Sequence, residues 1–307
     1  MTWSPDIGPS EGPFGVRIDK GEWVDASRGK RVIPYKVYHP ETMNAGPYPV
    51  IIWSHGLGGT RDGAGFIARH LASHGYIQVN IQHGGTDDVL WRGMPGHPWD
   101  NIKKAHIPFE VVRNRYLDVP FALDQLEGLY PDLIDWDRLG MSGHSFGALT
   151  TQVMAGQLAG RPDTNTPADL SDDRFVAGML YSPVPAMRLQ MGGQDVYAPI
   201  HLPLMHMTGT EDYSPVEGFG YEKRLEVFEH AGNEDQHLVI LNGADHMVFS
   251  GSRGQLKPYD SMDAHQDMIK VMTLAWWEAQ LNDDGSARTW ISQLQDWLGN
   301  QGAYNAR

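Results

Sequence analysis

Residues Gly143-His144-Ser145-Phe146-Gly147 match the pattern G-x-S-x-G, and they decide the fold that we expect for this chain of 307 residues. The preceding residues 139–142 are typical of a strand, and residues 146–158 are typical of a helix. A strand, a sharp turn and a helix around this pattern form a nucleophile elbow, in which strained backbone geometry exposes the serine hydroxyl. Glycine at both ends of the pattern leaves room for this turn. The stretch therefore predicts that Ser145 is a nucleophile.

Apolar runs of strand length alternate with helix-period stretches on both sides of this motif. The predicted strands cover residues 48–54, 76–81, 138–143, 175–181, 203–208 and 237–241. The predicted helices lie at about 66–71, 108–129, 146–158, 217–230 and 262–281. Such alternation predicts an α/β fold with a mostly parallel central sheet and helices on both faces.

The chain is predicted to form a single domain over residues 1–307, because no repeat or linker divides it. Residues 1–15 are rich in proline and glycine and predict an irregular N-terminal arm. Two stretches, 84–107 and 184–199, are predicted to be long loops that cover a pocket. Residues 286–299 carry tryptophan, isoleucine and leucine at helical spacing, which predicts a C-terminal helix docked on the body.

Composition excludes several classes of function. The net charge is 24 − 38 = −14, and a negative field of this size repels nucleic acid. The chain has no cysteine, which excludes disulfides, thiol catalysis and zinc sites built on cysteine. No run of about 18 apolar residues predicts a membrane span, and the first residues do not resemble a signal peptide. We expect a cytoplasmic protein, or one whose leader has been removed, and composition does not indicate an oligomeric state.

A serine nucleophile needs a base, and His246 is the predicted one. In elbows of this type an acid and then a histidine follow Ser145 along the chain. His246 comes just after the strand predicted at 237–241, in a turn that contains glycine. Catalytic loops of open α/β sheets lie at the carboxyl ends of the strands, which is where this turn falls. Histidines 230 and 265 are predicted to lie on helices instead.

The predicted acid is Asp212, which follows the strand at 203–208 and precedes His246 in the chain. A buried carboxylate at this point would orient the imidazole and stabilise it when it is protonated. Glu211 is the adjacent alternative. Asp245 is a poorer candidate, because neighbours in the chain rarely orient each other in this way.

Two backbone N–H groups are predicted to form an oxyanion hole. The first belongs to Phe146, the residue after the nucleophile. The second is that of Leu57, in the glycine-rich stretch 55–59 that follows the strand at 48–54. Glycines in such a loop let the backbone approach a substrate closely.

Aromatic and methionine side chains of the two long loops are predicted to bind substrate. These side chains are Trp91, Trp99, Met187 and Met191. Flat aromatic rings and adaptable methionines suit apolar ligands of varied shape. The alternative is that they only pack the loops.

Three stretches are similar to the platelet-activating-factor acetylhydrolase-like esterases and to dienelactone-hydrolase-like proteins, which are serine-nucleophile α/β-hydrolases. They are Ser54-His55-Gly56-Leu57-Gly58, Leu71-Ala72-Ser73-His74-Gly75-Tyr76 and Gly143-His144-Ser145-Phe146-Gly147. The resemblance spans roughly residues 30–282 and implies the α/β-hydrolase fold. It assigns the roles of nucleophile, acid and base to Ser145, Asp212 and His246, with Leu57 and Phe146 as oxyanion donors. The absence of cysteine selects serine over the cysteine nucleophile of dienelactone hydrolases.

The expected function is hydrolysis of carboxylic esters with small to medium apolar acyl groups, through an acyl-enzyme and without a metal or organic cofactor. The expected partner is a small-molecule or lipid-like ester. A polyester or phospholipid-type ester hydrolase of the same fold is one alternative. Another is a member of the fold that does not hydrolyse esters, such as a lyase or a ligand-binding protein. An amidase or peptidase is a further reading that the sequence leaves open.

Overall fold

A nine-stranded sheet forms the centre of the fold in the computed structural model. The structure describes residues 3–4, 7–42, 46–161, 166–187, 189–191, 194–251 and 261–307. In chain order, the strands within these ranges are β1 (Val16–Asp25), β2 (Arg31–Pro40), β3 (Tyr48–Ser54), β4 (Ile77–Ile81), β5 (Ile134–His144), β6 (Ala159–Arg161), β7 (Thr166–Ala168), β8 (Phe175–Tyr181), β9 (Gln190–Met191), β10 (Gln194–Asp195), β11 (Leu204–Glu211), β12 (Gln236–Asp245) and β13 (Gly302–Ala306). The order across the large sheet is β1-β2-β4-β3-β5-β8-β11-β12-β13, while β6 pairs with β7 and β9 with β10.

Six neighbouring strands of the sheet, from β4 through β3, β5, β8 and β11 to β12, run parallel. Every residue of β3 is buried, as expected for a strand that is covered on both faces. The remaining strands β1, β2 and β13 pair antiparallel at the two ends. The predicted α/β-hydrolase fold with a mostly parallel sheet is therefore confirmed.

Helices cover both faces of this sheet. Within the described ranges they are α1 (Gly65–Ser73), α2 (Pro98–Lys104), α3 (Phe109–Leu129), α4 (Phe146–Met154), α5 (Leu225–His230), α6 (Met262–Leu281), α7 (Gly285–Ser292) and α8 (Leu294–Leu298). Alternate residues of β3 point to opposite layers: Val50 and Ile52 pack with residues of α3 and α4, whereas Ile51 and Trp53 pack with residues of α1 and α6. The core is thus two apolar layers with the sheet between them.

Several elements differ from the sequence-based expectation. The hairpin of β1 and β2 and the last strand β13 were not predicted, because exposed and half-buried polar residues interrupt their apolar residues and leave no long apolar run. The stretch 84–107, predicted as loop, contains α2, and the stretch 184–199 contains the β9–β10 pair. The helix predicted at 286–299 is two short helices, α7 and α8.

The described residues include neither a membrane-spanning helix nor a cluster of metal ligands. None of the helices combines the length and the apolar character needed to cross a membrane. In the same part of the chain, no group of three or more histidine and acidic side chains is placed to hold a metal ion.

Histidines are unusually prominent among the buried polar residues. Burial lowers the pKa of His70 to about 3, with a smaller contribution from His74. Burial, with the nearby charge of Arg115, lowers the pKa of His83 to about 4, and burial lowers that of His206 to about 4 as well. These imidazoles are therefore neutral in the folded protein down to a pH well below their ordinary range.

The free energy of unfolding should fall as the pH is lowered from about 6.5 to about 4. In this pH range the histidines of the unfolded chain, with a pKa near 6.5, bind protons, whereas the buried histidines of the folded protein remain neutral. Each such histidine lowers the stability by up to about 1.4 kcal/mol per pH unit. Urea unfolding followed by circular dichroism at pH 7, 6, 5 and 4.5 measures the effect.

The matched variant is His206→Gln, since His206 Nε2 lies 2.8 Å from Gln236 Oε1 and a glutamine amide can donate the same bond without titrating. We expect the free energy of unfolding of this variant to fall less steeply with decreasing pH. The difference should be the contribution of one histidine, up to about 1.4 kcal/mol per pH unit. An urea midpoint that stays constant between pH 7 and 4.5 in the wild-type protein would contradict the prediction.

Candidate active site

Ser145 lies in a tight turn between β5 and α4, as the elbow motif predicts. Its backbone is in the left-handed region at φ +55° and ψ −117°, which is strained for a residue with a side chain. The Ser145 N–H donates to the carbonyl oxygen of Tyr181 on β8 at 2.8 Å. This bond to the neighbouring strand holds the turn in its strained form.

The glycines of the elbow are required by close approach. A Cβ at position 147 would lie 1.8 Å from the carbonyl oxygen of Ser54, the last residue of β3. A Cβ at position 143 would lie 2.3 Å from the carbonyl oxygen of Gly147. Any larger residue would push α4 away from the sheet, so the elbow must carry glycine at both positions.

His246 and Asp212 meet at the same edge of the sheet. Asp212 directly follows β11 and His246 directly follows β12, and these two strands are neighbours. His246 Nδ1 donates to Asp212 Oδ1 at 2.6 Å, and both side chains are buried. Glu211, the alternative acid, is exposed. The bond holds the imidazole with Nδ1 protonated, which leaves Nε2 free to accept a proton.

A buried arginine also contacts this pair. Arg224 Nη2 lies 3.0 Å from Asp212 Oδ1 and 3.2 Å from His246 Nδ1, and its Nη1 donates to the carbonyl oxygen of Pro183 at 3.0 Å. The other carboxylate oxygen, Oδ2, accepts the hydroxyl of Thr208 at 2.8 Å. The carboxylate thus has hydrogen-bond donors at both oxygens, as a buried charge requires.

The electrostatics keep Asp212 ionised. Burial alone would raise the pKa of Asp212, but the charge and hydrogen bond of His246, followed by the charge of Arg224, outweigh it and lower the pKa below its ordinary value. His144, in contrast, is neutral, because burial and the neighbouring charge of His246 hold its pKa well below the ordinary value. The neutral His144 donates from Nε2 to the carbonyl oxygen of His246 at 2.7 Å and so fixes that backbone.

Ser145 and His246 line one cavity of about 520 Å³. Within the described residues no hydrogen bond joins the Ser145 hydroxyl to His246 Nε2. Such bonds are often long in enzymes without substrate and tighten when substrate binds. The predicted nucleophile and the predicted base therefore border the same cavity.

The two predicted oxyanion donors also line this cavity. Among the described residues, neither the Leu57 N–H nor the Phe146 N–H has a hydrogen-bond acceptor. Gly58, the residue after Leu57, is held at both of its backbone polar groups. Its N–H donates to the carbonyl oxygen of Thr86 at 2.8 Å, and its carbonyl oxygen accepts the indole N–H of Trp91 at 2.7 Å. Two residues beside Ser145 therefore line the cavity with backbone N–H groups that have no acceptor among the described residues, as an oxyanion hole requires.

The four predicted substrate-binding residues differ in their position. Trp91 and Trp99 line the cavity, and the Trp99 indole N–H is buried with no hydrogen-bond partner among the described residues. The Met187 side chain is 90% exposed and does not line the cavity. The side chain of Met191 lies outside the described part of the chain. Of the residues in the stretch 184–199 that the structure describes, only Val184 lines this cavity.

Sequence reasoning did not identify Arg224 or Arg115, both of which are buried next to the site. Arg224 lies in a run of charged residues, 222–224, that is typical of a solvated helix end, so its sequence carried no signal. The sequence around Arg115, in contrast, does indicate a buried position. It falls at helical spacing between Val112 and Val119, on the face of α3 that packs on the sheet.

The sheet order, together with the elbow at the end of β5, defines the α/β-hydrolase class. Comparisons with known proteins agree with this class. The profile of the family described as "Platelet-activating factor acetylhydrolase, isoform II" matches residues 28–88. This match includes the loop around Leu57 but not Ser145, Asp212 or His246.

Two curated relatives are platelet-activating factor acetylhydrolases. The protein from Cavia porcellus is 22% identical over 293 residues, which covers 81% of this chain and 61% of the relative. The protein from Canis lupus familiaris is 28% identical over 140 residues, covering 34% of this chain and 31% of the relative. The chain therefore spans about three fifths of the longer-matching relative. The predicted resemblance to platelet-activating-factor acetylhydrolase-like esterases is confirmed.

The buried ion pair between Asp212 and Arg224 predicts strong coupling in stability. Asp212→Ala should lower the free energy of unfolding by about 3–5 kcal/mol, because it leaves the Arg224 charge buried without its carboxylate. The double variant with Arg224→Met should lose less than the sum of the two single variants by about 1 kcal/mol or more. Urea unfolding of the four proteins measures the cycle, and additivity within about 0.5 kcal/mol would contradict the prediction.

Proposed function

We propose that this protein is a serine esterase that hydrolyses carboxylic esters through an acyl-enzyme. The observation that carries the proposal is the 2.6 Å bond between His246 Nδ1 and the buried Asp212 Oδ1, because His246 also lines a cavity together with Ser145, Leu57 and Phe146. An intact set of base, acid and oxyanion donors favours an enzyme over a ligand-binding protein of the same fold. The similarity to platelet-activating factor acetylhydrolases supports the same choice.

The proposed reaction has two halves. The Ser145 hydroxyl attacks the ester carbonyl while His246 Nε2 takes its proton, and the N–H groups of Leu57 and Phe146 stabilise the oxyanion. As the intermediate collapses, the carbon–oxygen bond to the alcohol breaks and the imidazolium returns the proton to the leaving alcohol. Water then attacks the acyl-enzyme with His246 again as base, which releases the acid and restores Ser145. Asp212 remains ionised and stabilises the imidazolium in both halves.

The cavity favours esters with small to medium apolar acyl groups. Its wall includes many apolar side chains: Leu57, Trp91, Trp99, Ile107, Phe146, Val112, Val184, Val216 and Met247. A volume of about 520 Å³ lies within the usual range for small-molecule sites. The polar groups converge on Ser145, which is where an ester carbonyl would bind.

A second candidate substrate is platelet-activating factor itself, with acetate as the acyl group. It is favoured by the two relatives, which are platelet-activating factor acetylhydrolases. Because the chain spans about three fifths of the longer-matching relative, this finer assignment depends on a direct assay.

Ser145→Ala should abolish turnover of p-nitrophenyl acetate and butyrate and reaction with a fluorophosphonate probe, because it removes the hydroxyl that forms the proposed acyl-enzyme. Initial rates and mass spectrometry of the labelled protein are the measurements. Circular dichroism of the variant controls for folding. Retention of the wild-type rate in the folded variant, or labelling of a residue other than Ser145, would refute the proposed nucleophile.

Trp99→Ala should change the preference among acyl chains. Removal of a flat apolar wall weakens binding of the acyl group, so KM for p-nitrophenyl hexanoate should rise about tenfold while KM for the acetate changes less. The matched control is Met187→Ala, because this exposed side chain does not line the cavity, and its KM values should equal those of the wild-type protein. Equal KM changes for both esters in Trp99→Ala would argue against an acyl pocket at this tryptophan.

A further inference from the structure

Arg115 is a fully buried cation on α3 that does not line the cavity. Within the described residues it forms no ion pair, and its guanidinium donates only to neutral oxygens. Burial lowers the pKa of Arg115 to about 9, which still leaves it charged at neutral pH. Burying a charge without a counter-ion is costly, so the bonds that Arg115 makes are expected to serve a function beyond stability.

One side of the guanidinium holds the loop that carries the Leu57 N–H. Arg115 Nη2 donates to the carbonyl oxygen of His55, two residues before Leu57. Its Nη1 donates to the hydroxyl of Thr86 at 3.0 Å, and the carbonyl oxygen of Thr86 accepts the N–H of Gly58. The residues on both sides of Leu57 are therefore tied to the same guanidinium, one directly and one through Thr86.

The other side holds Phe146, the second donor. Arg115 Nε donates to the Thr150 hydroxyl at 2.7 Å, and that hydroxyl donates to the carbonyl oxygen of Phe146 at 3.1 Å. The guanidinium carbon also lies 4.7 Å from the centroid of the Phe146 ring, within the range of a cation–π contact. One planar group thus contacts the surroundings of both N–H donors.

A buried hydrogen-bond chain fixes Arg115 in turn. Asp118 accepts from His83 Nδ1 at 3.0 Å, His83 Nε2 lies 2.7 Å from the Ser54 hydroxyl, and Ser54 Oγ accepts from Arg115 Nη2 at 3.0 Å. Arg31 holds Asp118 through two bonds of 2.7 Å. Although Ser54, His83 and Asp118 resemble a catalytic triad, none of the three lines the cavity. The Ser54 hydroxyl is already hydrogen-bonded to both His83 and Arg115. The chain acts as a support.

We propose that Arg115 is a positioning residue that sets the spacing of the Leu57 and Phe146 N–H groups and so determines the strength of the oxyanion hole. The proposal rests on the proposed esterase function. A guanidinium has five N–H donors in one rigid plane, which suits it to fix two segments at once, whereas a lysine ammonium is a point charge on a flexible stem. Oxyanion donors act only when they are held to within about 0.5 Å, and one donor is worth about 10²–10³ in kcat.

The test compares Arg115→Met and Arg115→Lys with the wild-type enzyme. All rates are divided by the concentration of active sites titrated with a fluorophosphonate. We expect kcat for p-nitrophenyl butyrate to fall about 10- to 100-fold in Arg115→Met with KM within about threefold, because the oxyanion forms only after binding. Arg115→Lys should recover less than half of this loss on a logarithmic scale, because it restores the charge and not the planar fork.

A transition-state mimic separates positioning from a merely structural role. The inhibition constant of a trifluoromethyl ketone, which forms an oxyanion adduct on serine, should rise in proportion to the loss of kcat/KM in each variant. The acid limb of the pH–rate profile should not move, since the base is untouched. A structural role alone would lower the melting temperature and leave kcat per active site and this inhibition constant unchanged, which would overturn the proposal.

Two further variants, Thr150→Val and Arg174→Met, serve as an alternative test and as a control. If Arg115→Met does not fold, Thr150→Val removes the bridge from Arg115 to the Phe146 carbonyl, and kcat should still fall several-fold with a matching change in the inhibition constant. The control Arg174→Met removes surface ion pairs to Asp172 and Asp124 and should retain wild-type kcat. Inactive wild-type protein would refute the esterase function itself, whereas active wild-type protein with an unaffected Arg115 variant would refute only the role of Arg115.

Discussion

The close approach of Gly147 to the carbonyl oxygen of Ser54 is the constraint on which the rest of the site depends. With a Cβ only 1.8 Å from that oxygen, no other residue fits, so the elbow after β5 lies directly against the end of β3. The parallel register pairs Ser54 with Gly143 at this point. The loop that begins after Ser54 and the helix that begins after Ser145 are therefore neighbours, and Leu57 of the loop and Phe146 of the helix line one cavity.

Two charged groups near this contact, Asp212 and Arg115, are buried at a cost in free energy, and their hydrogen-bond partners differ. Asp212 is surrounded by His246, Arg224 and Thr208, which keep it ionised. Arg115 has no carboxylate partner among the described residues and is surrounded by hydroxyl and carbonyl oxygens. The former arrangement suits a group that must stabilise a developing charge, and the latter suits one that must hold its neighbours in place.

Much of this could be predicted from the sequence, because the relevant signals are local. The strands β3 and β8 are nearly continuous apolar runs, and the predicted acid Asp212 and base His246 each follow a predicted strand. Edge strands such as β1 and β13 were missed because they lack such runs. The position of Met187 could not be predicted either, since whether a loop side chain faces a cavity or solvent depends on packing that loop composition does not encode.

The sequence by itself determined the nucleophile motif, the order of serine, acid and histidine along the chain, and the mostly parallel sheet, because turns and hydrophobic periods involve residues only a few positions apart. Only the tertiary structure decided that Asp212, rather than Glu211, contacts His246, and that Arg224 joins them. It alone placed Arg115 between the surroundings of Leu57 and Phe146. The reason is physical: these contacts join groups 12 to 60 positions apart in the chain, and only the packing of helices on the sheet brings them together.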